Sequence, residues 1–384
     1  MLKLKNIKIQ NTLATLEILR REDSISRVEL AARLKCDGTT VSRIIKFLTE
    51  KNLIISEGMA DSTGGRPREI IRLNADALTS AGIALDPNSI TGIIVNLKGA
   101  IKVREQIFFS GEKTFAEFTS GLSLIAGRLL NTTPCGLGVA AFGTFSGEDK
   151  ILENVAGFPE LNKFNIPDFF RCNYSITPEI TDIATARALS EMYFNDIGNK
   201  GSFILFVAGS GIGCVTAIDG KTVFSKYSHA GEFGHSVYQP EGAKCHCGRR
   251  GCLETICSIG AIESACRTVT GNKNLQFQNI VQHYQDNDRL ISKIVDDAAL
   301  WLGIAIANQI NSIPPDEVMI SGEIFKLGER FYGIVEKNVR EYVFPSFMKN
   351  LKIMKSELRE EGPALGAASL VVRKAFEEPD FLFQ

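Results

Sequence analysis

Three cysteines stand within eight positions in the run CHCGRRGCLE, residues 245–254, and a histidine, His235, closes the run GEFGH ten residues upstream of the first. One imidazole and three thiolates are a usual closed, tetrahedral set for a structural zinc ion. His235, Cys245, Cys247 and Cys252 are therefore the expected ligands. The Cys-x-Cys pair and the glycines Gly248 and Gly251 let a short loop fold back around one ion. His246 is a competing ligand, but it lies between two cysteines and points away from their shared side in an extended segment. Independent thiols and a catalytic thiol are the alternatives. A disulfide framework is not expected, because the chain reads as cytoplasmic, where thiols stay reduced.

A second chemical signal is GSGIG, residues 209–213. A dinucleotide fingerprint needs a helix straight after its glycines. Here CVTAIDGK follows, which reads as strand and turn, so a Rossmann site is not expected. Backbone amides in such a turn can still meet a phosphate. A tight turn that simply needs glycine is the plainer reading.

The third signal lies near the N-terminus. In TTVSRIIKFLTEKNLI, Val41, Ile44, Ile45 and Leu48 repeat at helical spacing and make one face apolar. The other face carries Thr39, Thr40, Ser42, Arg43 and Lys46, side chains suited to base edges and phosphates in a major groove.

These groups need elements to hold them. Ahead of the polar helix, a helix around 8–21 carries Leu13, Leu16 and Leu19, and a second starts at SRVE, where Ser26 and Glu29 match a capping box. The break KCDG then separates the second helix from the third, the order of a helix-turn-helix. Two β-prone runs around a glycine-rich tip follow, LIISEGMADSTGGRPREIIRLN, and read as a wing. Arg66 at that tip suits a narrow minor groove. A dimerisation module with a solvated polar face is the bland alternative. From Thr79 onward, strand-like and helical stretches alternate, which predicts an α/β fold. The expected divisions are 1–78 for DNA binding, 79–195 for a first lobe rejoined by a helix at about 360–380, and 196–359 for a second lobe.

The 384 residues exceed one ordinary domain, and 44% hydrophobic residues supply material for real cores. No apolar run approaches the roughly 18 residues of a membrane span, and the N-terminus lacks the apolar core of a signal peptide. The net charge of -1 hides an asymmetry: residues 1–75 hold 14 Lys/Arg against 9 Asp/Glu. A basic segment on an acidic body suits a polyanion. The other six cysteines, Cys36, Cys135, Cys172, Cys214, Cys257 and Cys266, are expected as small buried hydrophobes.

GEFGH followed by CHCGRRGCLE, behind a helix-turn-helix and a GGRP wing, resembles the ROK family of repressors, open reading frames and sugar kinases, in its repressor branch. The resemblance implies an N-terminal all-α, winged helix-turn-helix domain followed by an α/β actin-like domain. That domain is hexokinase-type and ribonuclease H-like, with two lobes closing over a sugar. It implies one structural Zn2+, an operator of double-stranded DNA, a monosaccharide effector, and a homodimer or dimer of dimers. By the same resemblance, Glu232, His235 and Glu254 contact sugar hydroxyls. Thr181-Asp182 stands where the kinases carry an Asn-Asp pair whose Asp is the base, so Asp182 is at most a vestigial base and also a helix N-cap. Gly157 replaces a further amide-bearing residue. The kinases' Gly-Gly-Thr phosphate turn is replaced by Asp86-Pro87-Asn88, and a later glycine run by Ser321-Gly322-Glu323. A repressor without kinase activity is expected, with a sugar kinase bearing a DNA-binding domain, or a repressor controlled by a protein partner, as the alternatives.

Overall fold

The computed structural model describes the chain except residues 1, 61–67, 110–113, 148, 156–157, 199–200, 224–230, 358–359 and 378–384. The expected wing-tip arginine, Arg66, and the loop residue Gly157 lie outside the described residues.

Helices α1 (Leu2–Arg21), α2 (Arg27–Leu34) and α3 (Gly38–Glu50) open the chain, with a short strand β1 (Ile25–Ser26) between the first two. Ser26 caps α2 reciprocally: its hydroxyl accepts the Glu29 N–H at 3.3 Å, and its own N–H donates to Glu29 Oε2 at 3.1 Å. The helix stops at Lys35, which takes a left-handed conformation. Asp37 then caps α3 by accepting the Thr40 N–H at 2.9 Å. Val41, Ile44, Ile45 and Leu48 of α3 are all buried, at roughly 1.5–3 kcal/mol for each such side chain removed from water. An Asp at position 44 would place a carboxylate in that core and break the domain. Strands β2 (Ile54–Ala60) and β3 (Arg68–Leu73) pair antiparallel, Ile54 opposite Leu73, and β1 adds to the free side of β3. This is a winged helix-turn-helix.

The α/β part follows as β4 (Thr79–Asp86), β5 (Ser89–Asn96), β6 (Ile101–Phe108), α4 (Phe115–Leu130), β7 (Leu137–Ala141), β8 (Thr144–Ser146), β9 (Ile151–Glu153), α5 (Ile166–Tyr174), β10 (Glu179–Asp182) and α6 (Ile183–Phe194). It continues with β11 (Ser202–Ala208), β12 (Ile212–Ile218), β13 (Lys221–Thr222), α7 (Glu254–Cys257), α8 (Ile259–Thr270), α9 (Phe277–Gln285), α10 (Arg289–Ser312), β14 (Glu317–Ser321), α11 (Glu329–Tyr342), α12 (Pro345–Met348), β15 (Lys352–Lys355) and α13 (Gly362–Glu377). Among the described residues, two five-stranded sheets form, ordered β10-β7-β4-β5-β6 and β13-β12-β11-β14-β15. Each is a three-stranded antiparallel meander with a parallel strand added beside its first member.

The chain forms two compact units. The first holds residues 1–141, 167–181 and 364–384, so the winged domain and the first sheet belong together, and α13 returns from the far end of the chain. Two glycines let α13 lie directly on that sheet. A Cβ at Gly82 would sit 2.0 Å from the Ala364 carbonyl oxygen, and one at Gly138 would sit 1.9 Å from that of Ala367. The Ser80 hydroxyl completes the contact by donating to the Ala368 carbonyl at 3.2 Å.

The second unit holds residues 142–166 and 182–363. The boundary expected at 195 is corrected here: α6 belongs to the second unit. Ala188 and Met192 of α6 pack in one cluster with Phe203, Leu205, Val215 and Met319 of the second sheet. On the other face of that sheet, Ile204, Phe206, Val318 and Ile320 pack with α10 through Ala299, Leu302 and Ile306. No helix among the described residues is long and apolar enough to cross a membrane. The expected burial of six cysteines holds fully for Cys214, Cys257 and Cys266, whereas Cys172 is exposed. On α5 the buried positions are Ile166 and Phe170. Cys172, two residues beyond Phe170, falls on the opposite side of the helix.

Candidate metal centre and ligand site

In the second unit, a single tight turn, Phe233–His235, follows β13 in the chain order and is preceded by Glu232. That turn aims two nitrogens of one ring in opposite directions. His235 Nδ1 lies 3.5 Å from Cys245 Sγ, and Nε2 lies 3.7 Å from Glu232 Oε2. The ligand atoms of His235, Cys245, Cys247 and Cys252 all lie within 4.8 Å of one another. Cys247 Sγ and Cys252 Sγ are 3.6 Å apart. Tetrahedral Zn–S bonds of about 2.3 Å imply edges of about 3.8 Å, so the cluster has the dimensions of a closed zinc site.

The loop is built for this approach. Cys245 N–H donates to the Arg249 carbonyl at 2.8 Å, and Gly248 N–H donates to that of Cys245 at 3.0 Å. Gly251 has a φ of +68°, and a Cβ there would fall 1.4 Å from the Gln239 carbonyl oxygen. Cys252 is 0% exposed. Burial pushes its thiol up to about 12, with the two neighbouring cysteines adding to the effect. Burial also pushes Cys247 upward, but the Arg249 amide and side chain, followed by the other two thiols, outweigh it and hold Cys247 at about 6. One thiolate is thus ready near neutral pH, and a divalent ion supplies the positive charge that the other two require.

The neighbouring carboxylate faces the same loop. Glu254 opens α7, and its Oε2 accepts the Ile212 N–H at 3.3 Å. Its Oε1 lies 2.8 Å from His246 Nε2. The expectation that His246 points away in an extended segment is corrected here: residues 246–247 form a turn, and the ring lies beside His235 and Cys245 with its Nε2 toward Glu254, a partner that spacing along the loop did not reveal. His235, Cys245, His246 and Glu254 form a second close group. It shares two members with the Cys3His set, so the two cannot be filled independently. The thiolate-rich set is the better zinc site.

Of the expected sugar contacts, the structure thus brings Glu232, His235 and Glu254 around one loop. Thr181, at the end of β10, is buried in the first unit. Asp182 caps α6, its Oδ1 accepting the Thr185 N–H at 2.8 Å. Its Oδ2 is buried and has no hydrogen-bond partner among the described residues.

The DNA-contact candidates among the described residues are all on α3. Thr39, Ser42, Arg43 and Lys46 are exposed. Thr40 serves the cap, its hydroxyl donating to Asp37 Oδ2 at 2.8 Å, and the Ser42 hydroxyl donates to the Gly38 carbonyl at 2.8 Å. Lys46 pairs loosely with Glu50 at 3.9 Å. Arg43 has no ion pair among the described residues and stands free for a base or a phosphate.

Comparison with known proteins decides the family. The ROK family model matches residues 80–374, and a winged helix-turn-helix DNA-binding model matches residues 10–55. The chain belongs to the ROK family. It is 25% identical over 374 residues to the xylose repressor of Bacillus spizizenii, covering 95% of each chain. It is 23% identical to the DNA-binding transcriptional dual regulator NagC of Escherichia coli, over 96% of this chain and 93% of that one. Among solved structures, a ROK family transcriptional regulator described as a homologue of the Escherichia coli MLC protein superposes with a TM-score of 0.79 at 20% identity, covering 98% of each chain. A ROK glucokinase from Streptomyces griseus, solved with glucose and AMPPNP, gives 0.67 at 17% identity and covers 76% of this chain and 98% of that one. The ROK fold here is therefore the two-sheet, actin-like one, with a winged domain in front.

Two turns noted in the sequence, at Asp86-Pro87-Asn88 and at Ser321-Gly322-Glu323, can be read directly. The first is a two-residue hairpin, Asp86 paired with Ser89, and its Asn88 N–H already donates to Asp86 Oδ1 at 3.1 Å. Pro87 has no amide hydrogen to offer. At the second position, Gly322 leads into Glu323, whose carboxylate is held by Lys326 at 2.9 Å.

Proposed function

We propose that this ROK chain is a sugar-responsive, DNA-binding transcriptional repressor of carbohydrate-utilisation genes, with one structural zinc ion and no kinase activity. The observation that carries the reading is a pairing within one chain. A recognition helix leaves Arg43 free, and a sugar-kinase fold keeps Glu232, His235 and Glu254 together while its first phosphate turn is closed. Relatives named as a xylose repressor and as NagC support the same assignment.

The chain's own residues divide the work. Arg43 reads a base edge in the major groove, Lys46 holds a phosphate, and Thr39, Thr40 and Ser42 line the entry of α3. Arg66 reaches an adjacent minor groove. Glu232, Glu254 and the outward nitrogen of His235 accept and donate to the hydroxyls of a monosaccharide. Zinc, when bound, supplies the cross-link that fixes His235 beside Cys245, Cys247 and Cys252. A homodimer, or a dimer of dimers, presents two α3 helices to half-sites about 34 Å apart, and sugar shifts the population that can span them. The protein acts in the cytoplasm.

The test is operator binding by the full-length protein, measured against a monosaccharide panel with and without ATP. Sugar should weaken operator binding without ATP. Arg43→Ala should cost about 1–3 kcal/mol on specific DNA and much less on random DNA. Lys46→Ala should weaken both alike and reduce the salt slope by about one. Sugar-dependent ADP production at roughly 1–100 per second would establish a kinase instead. An operator complex indifferent to every sugar would favour control by a protein partner.

A further inference from the structure

We propose that His246 sets the sugar selectivity of this site by occupying one acceptor position of Glu254; the proposal rests on the effector reading above. Three observations meet at this residue. Its neighbours Cys245 and Cys247 both belong to the Cys3His cluster, and its own ring stands at the rim of that cluster, within 4.8 Å of the ligand atoms of Cys245, His235 and Glu254. There its Nε2 lies 2.8 Å from Glu254 Oε1, and its ring packs edge-on against His235 with centroids 4.9 Å apart. Its side chain nevertheless remains 45% exposed, against 14% for Glu254, so the ring rather than the carboxylate offers most surface to an incoming ligand.

The chemistry follows from counting acceptor positions. An ionised carboxylate offers about four lone-pair positions over two oxygens. In this site the Ile212 N–H takes one on Oε2 and His246 takes one on Oε1. An unencumbered carboxylate binds both hydroxyls of a vicinal diol, one on each oxygen. With an imidazole alongside Oε1, the space for the second hydroxyl is filled and its hydrogen bond already made. The ligand class that fits is an aldose, or an aldose derivative, that directs a single hydroxyl at Glu254 and lays an apolar C–H edge against the imidazole. Zinc binding by the flanking thiolates holds the loop, so the selective wall and the structural metal are parts of one device.

The experiment compares wild type, His246→Ala and His246→Gln as full-length, metal-loaded proteins. Affinities for pentoses, hexoses and N-acetylhexosamines are measured by calorimetry, with zinc content and thermal midpoint as controls on folding. Gln places an amide N–H near the position of Nε2 and should keep the wild-type order of preference. Ala frees Oε1 and should improve diol-presenting sugars relative to the preferred sugar by roughly tenfold, the equivalent of one charge-assisted hydrogen bond. If the Ala protein loses its metal, His246→Asn replaces it, being polar but too short to reach Glu254. An unchanged ratio of affinities in a folded, zinc-replete Ala or Asn variant overturns the proposal, even if all sugars weaken together. If neither wild type nor any variant binds a sugar, the effector reading itself falls, and this proposal with it. A sugar bound only by the Ala variant supports it.

Discussion

The first sheet opens with the hairpin β4–β5, which turns through Pro87 and Asn88, and the second opens with β11–β12, which turns through Gly209, Ser210 and Gly211. Both hairpins lead a meander with a parallel strand added on the same side, so they are topological equivalents. Their fates differ. In the first turn the Asn88 N–H donates to Asp86 Oδ1 at 3.1 Å, and the Asn88 carbonyl accepts the Phe109 N–H at 2.9 Å from the residue just beyond β6. The second stays connected to its surroundings: the Gly209 carbonyl accepts the Ile259 N–H at 2.9 Å, and the Ile212 N–H reaches Glu254 at 3.3 Å. One turn is tied within its own sheet, and the other to the start of α8 and to the Glu254 carboxylate of α7.

The most severe way to break this contrast is to remove the zinc ligand Cys252, two residues ahead of Glu254. Cys252→Ser should lose the metal and destabilise the second unit by more than about 5 kcal/mol, since the binding energy of a structural zinc site is also folding energy. Cys257→Ser changes an equally buried thiol outside the cluster and should cost at most about 2 kcal/mol. Thermal unfolding with parallel metal analysis checks both. Equal zinc content in wild type and Cys252→Ser would end the assignment.

Glu254→Gln should come next in size. It keeps the shape of the side chain but removes the charge, and should weaken the sugar response by about 1.5–3 kcal/mol, a factor of roughly ten to a hundred, with operator affinity unchanged. A dose-response curve identical to wild type would detach Glu254 from the effector.

The gentlest comparison puts alanine into each turn. At Gly211 a Cβ would approach Glu254 Oε2 to 3.2 Å, so Gly211→Ala should push the carboxylate aside and cost the sugar response severalfold. Asn88→Ala, in the first turn, should leave the sugar response where it was and move stability by about 0.5 kcal/mol or less. Matching effects from the two substitutions would show the turns to be equivalent in use as well as in topology.

What could be read from the sequence follows the range of each interaction. The Ser26–Glu29 cap, the apolar stripe of α3 and the Cys3His set depend on residues three to seventeen positions apart, and each was legible. The partner of Glu254 was not, because Ile212 lies 42 residues away and only the fold brings its amide there. The place of His246 was not legible either, because residues 246–247 turn instead of alternating and its partner stands at the start of α7. Strand β6 gave a weak signal, since it is the edge of its sheet and is exposed at positions 101, 102, 104 and 108. The place of α6 was misjudged because its Ala-rich sequence would pack against either sheet, and the choice is made by Phe203, Leu205 and Met319.

The return of α13 to the first sheet has a consequence for the order in which the molecule is made. The Ser80 hydroxyl waits for the Ala368 carbonyl, 288 residues later. On the ribosome, the winged domain and all five strands of the first sheet emerge long before the helix that packs on that sheet, while the second unit can assemble from an almost unbroken stretch of chain. At synthesis rates of about 5–20 residues per second the exposed sheet stands open for tens of seconds. A nascent repressor thus has its DNA-reading end first and its supporting body last.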